Sequence, residues 1–301
     1  MSTDLNANFN EQYMQINSKL KKRFMRKPNI TEATNEFIAL AIQCEHSEQP
    51  AFAAQAYVGA AKCEAAAGNY LGEAEYYVTA GRHYMKAEIK LASLKFYSPD
   101  RENLEAGIGC FMLALGKYPP KSPLRTSILI ELANDLIALN YKLEAASYYE
   151  QALETVTDQT VKNMCLKNLL NLQIDCDNMD VALETANLMC ESNVNIPEDI
   201  LIEVQVSRIL LTLLVDPLEQ NKPDSLRHLF ADLLSDNGCE SAPFSTDLKL
   251  KLQSIIISSS RGDVSSLLRI STDIKHLLTN QQIDLLDKLN KEMRQVHLTM
   301  S

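Results

Sequence analysis

Apolar residues along this chain recur at steps of three and four. Tyr13, Ile16, Leu20 and Phe24 make one such stripe, the spacing of a helix that buries a single face. Pro28 stops it, and Asn29 with Glu32 forms a capping pair for a second helix through Phe37, Leu40 and Ala41. The same grammar, about 12 to 18 helical residues and then a short break, continues to the end and predicts roughly fourteen helices. Several breaks carry stop-and-start chemistry: Gly68-Asn69, Asn140, Gly262 ahead of Asp263, and Thr279 with Gln282. Breaks this short force neighbouring helices to run antiparallel. Residues 1–10 are polar and rich in Asn, and are expected to form a disordered arm. Residues 11–301 read as a single helical-repeat domain, with a flexible loop near 236–245 where Gly, Pro and polar residues replace the periodicity.

An internal echo says how the helices stack. Asn69 to Tyr77 (Asn-Tyr-Leu-Gly-Glu-Ala-Glu-Tyr-Tyr) returns 71 residues later, from Asn140 to Tyr149, as Asn-Tyr-Lys-Leu-Glu-Ala-Ala-Ser-Tyr-Tyr. That lag is near twice the roughly 34-residue tetratricopeptide period. In the second copy Leu129, Leu132, Ala133 and Leu136 fall on one helix, and Ala145, Tyr149 and Ala152 on the next. Alanines stand where two helices approach closely and the tyrosine fills the space beside them. A degenerate copy follows in Asp180, Ala182, Ala186 and Met189. The expected fold is therefore all-α, a tetratricopeptide-like array of antiparallel helix pairs forming a superhelical solenoid.

Composition strengthens the helical reading, since 9 glycines in 301 residues leave few tight hairpin turns. The net charge of −10 argues against a general nucleic-acid binder, because affinity for a polyanion rests on clustered Lys and Arg. No uncharged apolar run is long enough to span a bilayer, and no basic start precedes an apolar segment. A cytoplasmic protein is expected. The 7 cysteines are scattered singly, the usage of reduced thiols. Gly107-Ile108-Gly109-Cys110 lies inside a helical run without the Lys-Ser/Thr of a phosphate loop, and Cys44 with His46 is an i, i+2 pair whose side chains diverge on a helix. No catalytic, cofactor or metal residue is assigned, and a binding protein is expected rather than an enzyme. An enzyme on a helical scaffold would instead show a convergent polar pocket.

Two segments stand apart. Lys19, Lys21, Lys22, Arg23, Arg26 and Lys27 place six of the 29 basic residues opposite the stripe of Ile16, Leu20 and Phe24. Such a cationic amphipathic helix suits docking on an acidic surface, an anionic membrane or nuclear import, or it is a solvated face. From Ile200 to Val215 the chain is apolar nearly all round, so this helix must be buried on nearly all sides, either at the centre of the chain or under a partner. Arg208 interrupts it and must reach a carboxylate, a carbonyl or the surface. Lys19, Lys21, Lys22, Arg23, Phe24, Arg26, Lys27, Val206, Arg208, Leu211 and Leu214 are the candidate partner-binding residues.

The basic segment, Asn17 to Ala33, and two later ones, Val206 to Leu214 and Leu277 to Leu286, resemble in composition and order the family of the forty-kilodalton huntingtin-associated protein. Between them the likeness is architectural. The chain lacks the Gly/Ala-rich start and the long Pro-rich insertion of vertebrate members, so it is similar to an invertebrate-type member, and nothing those segments do is carried over. The resemblance implies a helical array clamped one-to-one between the HEAT-repeat domains of huntingtin and stabilising it, with a link to Rab5 and early endosome traffic. Ala65 to Ala74 (Ala-Ala-Ala-Gly-Asn-Tyr-Leu-Gly-Glu-Ala) also resembles the soluble NSF attachment proteins, which implies a membrane-fusion adaptor as the alternative.

Overall fold

The computed structural model describes residues 2–20, 29–96, 99–191, 196–216, 218–235 and 244–300. Every regular element among them is helical, with fourteen α-helices packed in neighbouring pairs. The chain forms two compact units, Met1–Thr155 and Val156–Ser301.

The first unit holds α1 (Ser2–Leu20), α2 (Ile30–His46), α3 (Pro50–Ala67), α4 (Tyr70–Ser93), α5 (Glu102–Leu115), α6 (Pro123–Ala138) and α7 (Lys142–Thr155). Residues 2–10, read from the sequence as a disordered arm, are the first turns of α1. Phe9 anchors them: it is buried, with its ring 4.7 Å from that of Phe52 and 5.6 Å from that of Tyr13. A single aromatic in a polar stretch supplies the apolar contact that composition does not show.

Helices α2, α3 and α4 come closest together because the facing positions are small. Ala53, Ala54, Ala56, Ala60 and Ala61 of α3 are completely buried, and a Cβ added at Gly59 would lie 2.7 Å from the Phe37 ring, so only glycine fits there. At the α3–α4 turn Gly68 takes the left-handed conformation at φ 79°, and the Asn69 side chain caps α4 by accepting the Gly72 N–H at 3.2 Å. The second copy of the echo is built differently. Asn140 itself takes the left-handed position, at φ 65°, leaving Tyr141 where Asn69 stands. The packing correspondence therefore pairs Gly68 with Asn140, buried Tyr77 with Tyr149 and buried Ala80 with Ala152, each 72 residues apart. The identical asparagines sit one step out of this register.

Alternate helices also touch. Arg82 of α4 holds Glu131 of α6 with two parallel hydrogen bonds of 2.6 and 2.8 Å, and His83 of α4 lies 2.9 Å from Glu45 of α2. Glu45 also accepts the Tyr57 hydroxyl at 2.7 Å. Burial holds the His83 imidazole below its usual pKa, although Glu45 pulls the other way. Its Nδ1 is buried without a partner, so a second proton there would have no acceptor. Burial thus favours the neutral imidazole at this contact. One turn beyond Glu131 on α6, burial and then the Glu131 charge push the Asp135 carboxyl up to about 6, against the pull of Arg82.

The second unit holds α8 (Gln159–Asp175), α9 (Met179–Glu191), α10 (Glu198–Val215), α11 (Asp224–Leu234), α12 (Thr246–Arg261), α13 (Val264–Ile274) and α14 (Asn280–Met300). Here α10 packs between α9 and α14, and every residue from Val204 to Thr212 is buried. The capping box expected at Thr279 forms: Gln282 Oε1 accepts the Thr279 N–H at 3.0 Å, and Thr279 Oγ1 accepts the Gln282 N–H at 3.4 Å. The same glutamine then reaches into the core. Its Nε2 donates to the Glu203 carbonyl at 2.8 Å and to Ser207 Oγ at 3.2 Å, so one side chain both starts α14 and ties it to α10.

Two outcomes follow for stability. Gln282→Ala removes a cap and the side-chain bonds to the Glu203 carbonyl and Ser207 Oγ, and should cost about 2 kcal/mol by denaturant unfolding; a loss within error would mean that the two roles are not coupled in this side chain. For Asp135, whose folded pKa is raised, the ionised form is disfavoured on folding above about pH 6, and this cost disappears as pH falls towards the ordinary carboxylate value. Asp135→Asn should therefore be the more stable protein at pH 7 to 8, with the difference closing below about pH 6. A difference in Tm that did not change with pH would contradict the assignment.

Candidate interaction surface

Most of the basic run, Lys21, Lys22, Arg23, Phe24, Arg26 and Lys27, lies outside the described residues. Lys19 is described, and its ammonium bridges to Glu36 of α2. The loop expected near 236–245 also falls largely outside; Ser245 ends it by capping α12, accepting the Leu248 N–H at 3.3 Å. Val206, Arg208 and Leu211 are buried within the second unit itself, and Leu214 is half-buried. Of the two possibilities open from the sequence, α10 is the central helix of its own unit, with no partner needed to cover these three side chains.

Arg208 is 0 % exposed, yet among the described residues no carboxylate pairs with it. Its Nε donates to Asn187 Oδ1 at 2.6 Å and its Nη2 to Ser225 Oγ at 2.7 Å, which ties α10 to α9 and α11. Nη1 has no hydrogen-bond partner. Of the partners open to Arg208 from the sequence, a carboxylate, a carbonyl or the surface, α9 supplies an amide carbonyl, and α11 adds a hydroxyl.

The exposed surface offers another feature. Tyr70 and Leu71 open α4, Met112 and Leu113 lie near the end of α5, and Leu124 lies in the first turn of α6. All five are exposed, from 45 % for Met112 to 70 % for Leu71. They share one end of the first unit. The Lys117 ammonium, just past α5, sits 5.6 Å from the centre of the Tyr70 ring and 2.8 Å from Glu73 of α4. Arg125 beside Leu124 donates to the Leu115 carbonyl. These contacts draw the start of α4, the end of α5 and the start of α6 into one apolar edge rimmed by Lys117, Lys121 and Arg125. Exposed apolar clusters with a polar rim mark interaction sites. The edge escaped sequence reading because its members are up to 54 positions apart, Tyr70 to Leu124, and a leucine in a helical stripe looks the same whether covered or bare.

At the opposite end of the unit a groove of about 440 Å³ is lined by Glu45, Glu48, Pro50, His83, Lys86 and Lys90, among others. Its charges are balanced, with Lys90 bridging to Glu48 at 3.5 Å. Glu45 and His83 are engaged in holding α2, α3 and α4 together, so this polar set serves the packing of the helices. Among the described residues there is no group of three His, Cys, Asp or Glu side chains placed to hold a metal ion, and no helix is long and apolar enough to cross a membrane.

The buried guanidinium gives a test of α10. Arg208→Ala should destabilise the chain by about 2–5 kcal/mol, through a cavity and unpaired Asn187 and Ser225. Arg208→Met keeps most of the volume and removes a desolvated charge, and should retain at least half of that stability. Equal losses in both variants, read from denaturant midpoints, would show that the guanidinium with its bonds to Asn187 and Ser225, and not the side-chain volume, carries the contribution.

No family model matches the chain. It is similar to the 40-kDa huntingtin-associated protein of Rattus norvegicus, 29 % identical over 155 residues, and to that of Mus musculus, 26 % identical over 155 residues. Each match covers 49 % of this chain and 40 % of the relative. The relatives to which this chain is similar over about half its length are thus proteins named for association with huntingtin.

Proposed function

We propose that this chain is a non-enzymatic scaffold that binds a large HEAT-repeat protein of the huntingtin kind, one-to-one, and stabilises it. The observation that supports the reading is the apolar edge of the first unit, where Tyr70, Leu71, Met112, Leu113 and Leu124 are exposed at the adjoining ends of α4, α5 and α6. The likeness to proteins named for huntingtin supports the choice of partner. A partner helix laid across the edge would bury Tyr70, Leu71 and Leu113 as the anchoring groups, with Lys117, Lys121 and Arg125 at the rim setting orientation. The basic run around Lys19 to Lys27 contributes to steering the encounter. A cytoplasmic location and a part in early endosome traffic with Rab5 complete the proposal.

Charge placed in the edge tests it. Leu71→Glu combined with Leu113→Glu should keep the helical circular dichroism of the parent and weaken association with purified huntingtin at least about tenfold, measured by biolayer interferometry. Unchanged affinity in a folded double variant would remove the edge from the interface.

A further inference from the structure

Ser122 stands in the middle of the apolar edge, at the turn from α5 to α6. The turn runs Tyr118-Pro119-Pro120-Lys121-Ser122-Pro123-Leu124-Arg125, and Pro119, Pro120, Lys121, Pro123 and Leu124 are all exposed. The Ser122 backbone is extended, at φ −74° and ψ 133°, and its hydroxyl accepts the Leu124 N–H at 3.3 Å. Proline follows it directly, supplying a fixed φ and no N–H to satisfy, and arginine stands three positions on. A kinase whose pocket takes an amide lacking its proton, and whose acidic wall meets a cation, selects this pattern.

Among the described residues no carboxylate pairs with Lys121 or Arg125 on either side of Ser122. Arg125 gives Nη1 to the Leu115 carbonyl, while its Nε is buried and has no acceptor. It lies one helical turn from Ser122. Lys121 is adjacent and exposed. We propose that Ser122 is the phosphoacceptor of a proline-directed serine/threonine kinase, and that its phosphate both clamps the first turn of α6 and closes the apolar edge to partners. In the transfer, Ser122 Oγ bonds to the γ-phosphorus of ATP as the bond from that phosphorus to the β–γ bridging oxygen breaks. ADP leaves, and the serine proton passes to the catalytic carboxylate of the kinase. The first turn of α6 opens to admit the kinase, as terminal turns do most readily. Once attached, the phosphate meets the Arg125 and Lys121 charges and the positive end of the α6 dipole. It also sets close to two negative charges beside Leu124, where an apolar partner surface would have to desolvate them.

The experiment uses the full chain carrying Ser98→Ala, since Ser98-Pro99-Asp100-Arg101 repeats the pattern, with a purified cyclin-dependent kinase and ATP–Mg. Phosphopeptide mass spectrometry should place phosphate on Ser122 in the folded chain, and added Ser122→Ala should abolish it. The phosphorylated form should melt about 2–4 °C higher and bind huntingtin at least about tenfold more weakly. Phosphorylation of a free peptide spanning 116–128 but not of the folded chain would overturn the acceptor assignment. A phosphorylated chain with an unchanged or lower Tm would overturn the clamp. The loss of binding rests on the docking reading above, and an unphosphorylated chain that fails to bind would sink that reading while leaving the first two results to decide this one.

Discussion

Each helix of the first unit covers its apolar stripe chiefly against the helix before it and the helix after it, and how close they come is set by what stands at the contact. In the first unit that contact is made of alanine. Ala53, Ala54, Ala60 and Ala61 line α3, and Gly59 admits the Phe37 ring where a Cβ would collide at 2.7 Å. Close approach lets many weak dispersion contacts add up. It also fixes the register, because a larger side chain at any of these points would push the helices apart. The hydrogen bonds between alternate helices, Arg82 with Glu131 and His83 with Glu45, settle on a frame already set by small residues.

The same constraint explains why the first unit has a bare edge. Stacking covers the facing sides of the helices, and Tyr70, Leu71, Met112, Leu113 and Leu124, in first or last turns of α4, α5 and α6, stay exposed. In the second unit the polar groups are turned inward instead. Gln282, Ser207 and the Glu203 carbonyl join α14 to α10, and Arg208 joins α10 to α9 and α11 through neutral acceptors. A helix as apolar as α10 is thus held in position by the few polar side chains it carries, since directional bonds specify a register that leucines alone would leave loose.

Chain punctuation was legible from residues alone because it is local chemistry. Asn29 with Glu32, Gly262 with Asp263, and Thr279 with Gln282 all cap where their spacing says they should. The burial of α10 was legible too, but not what buries it, since that depends on where α9, α11 and α14 arrive. Arg208 illustrates the same limit: its partners are Asn187 and Ser225, distant in sequence and neither charged. The echo was legible to within one residue, because Asn140 keeps the identity of Asn69 but takes the left-handed position of Gly68. Phe9 and the five edge residues were not legible, since pattern shows that a residue is apolar and not whether a neighbour reaches it.

Hydrogen–deuterium exchange of the chain, free and in complex with purified huntingtin, tests the central claim most directly. The amides at the start of α4, through the α5–α6 turn and into the first turn of α6 are those beneath the apolar edge, residues 70–72 and 112–125. Docking on the edge predicts that exchange there slows strongly on binding while the buried α10 is unchanged. Unaltered exchange across those residues in a saturated complex, with protection appearing elsewhere, would contradict it.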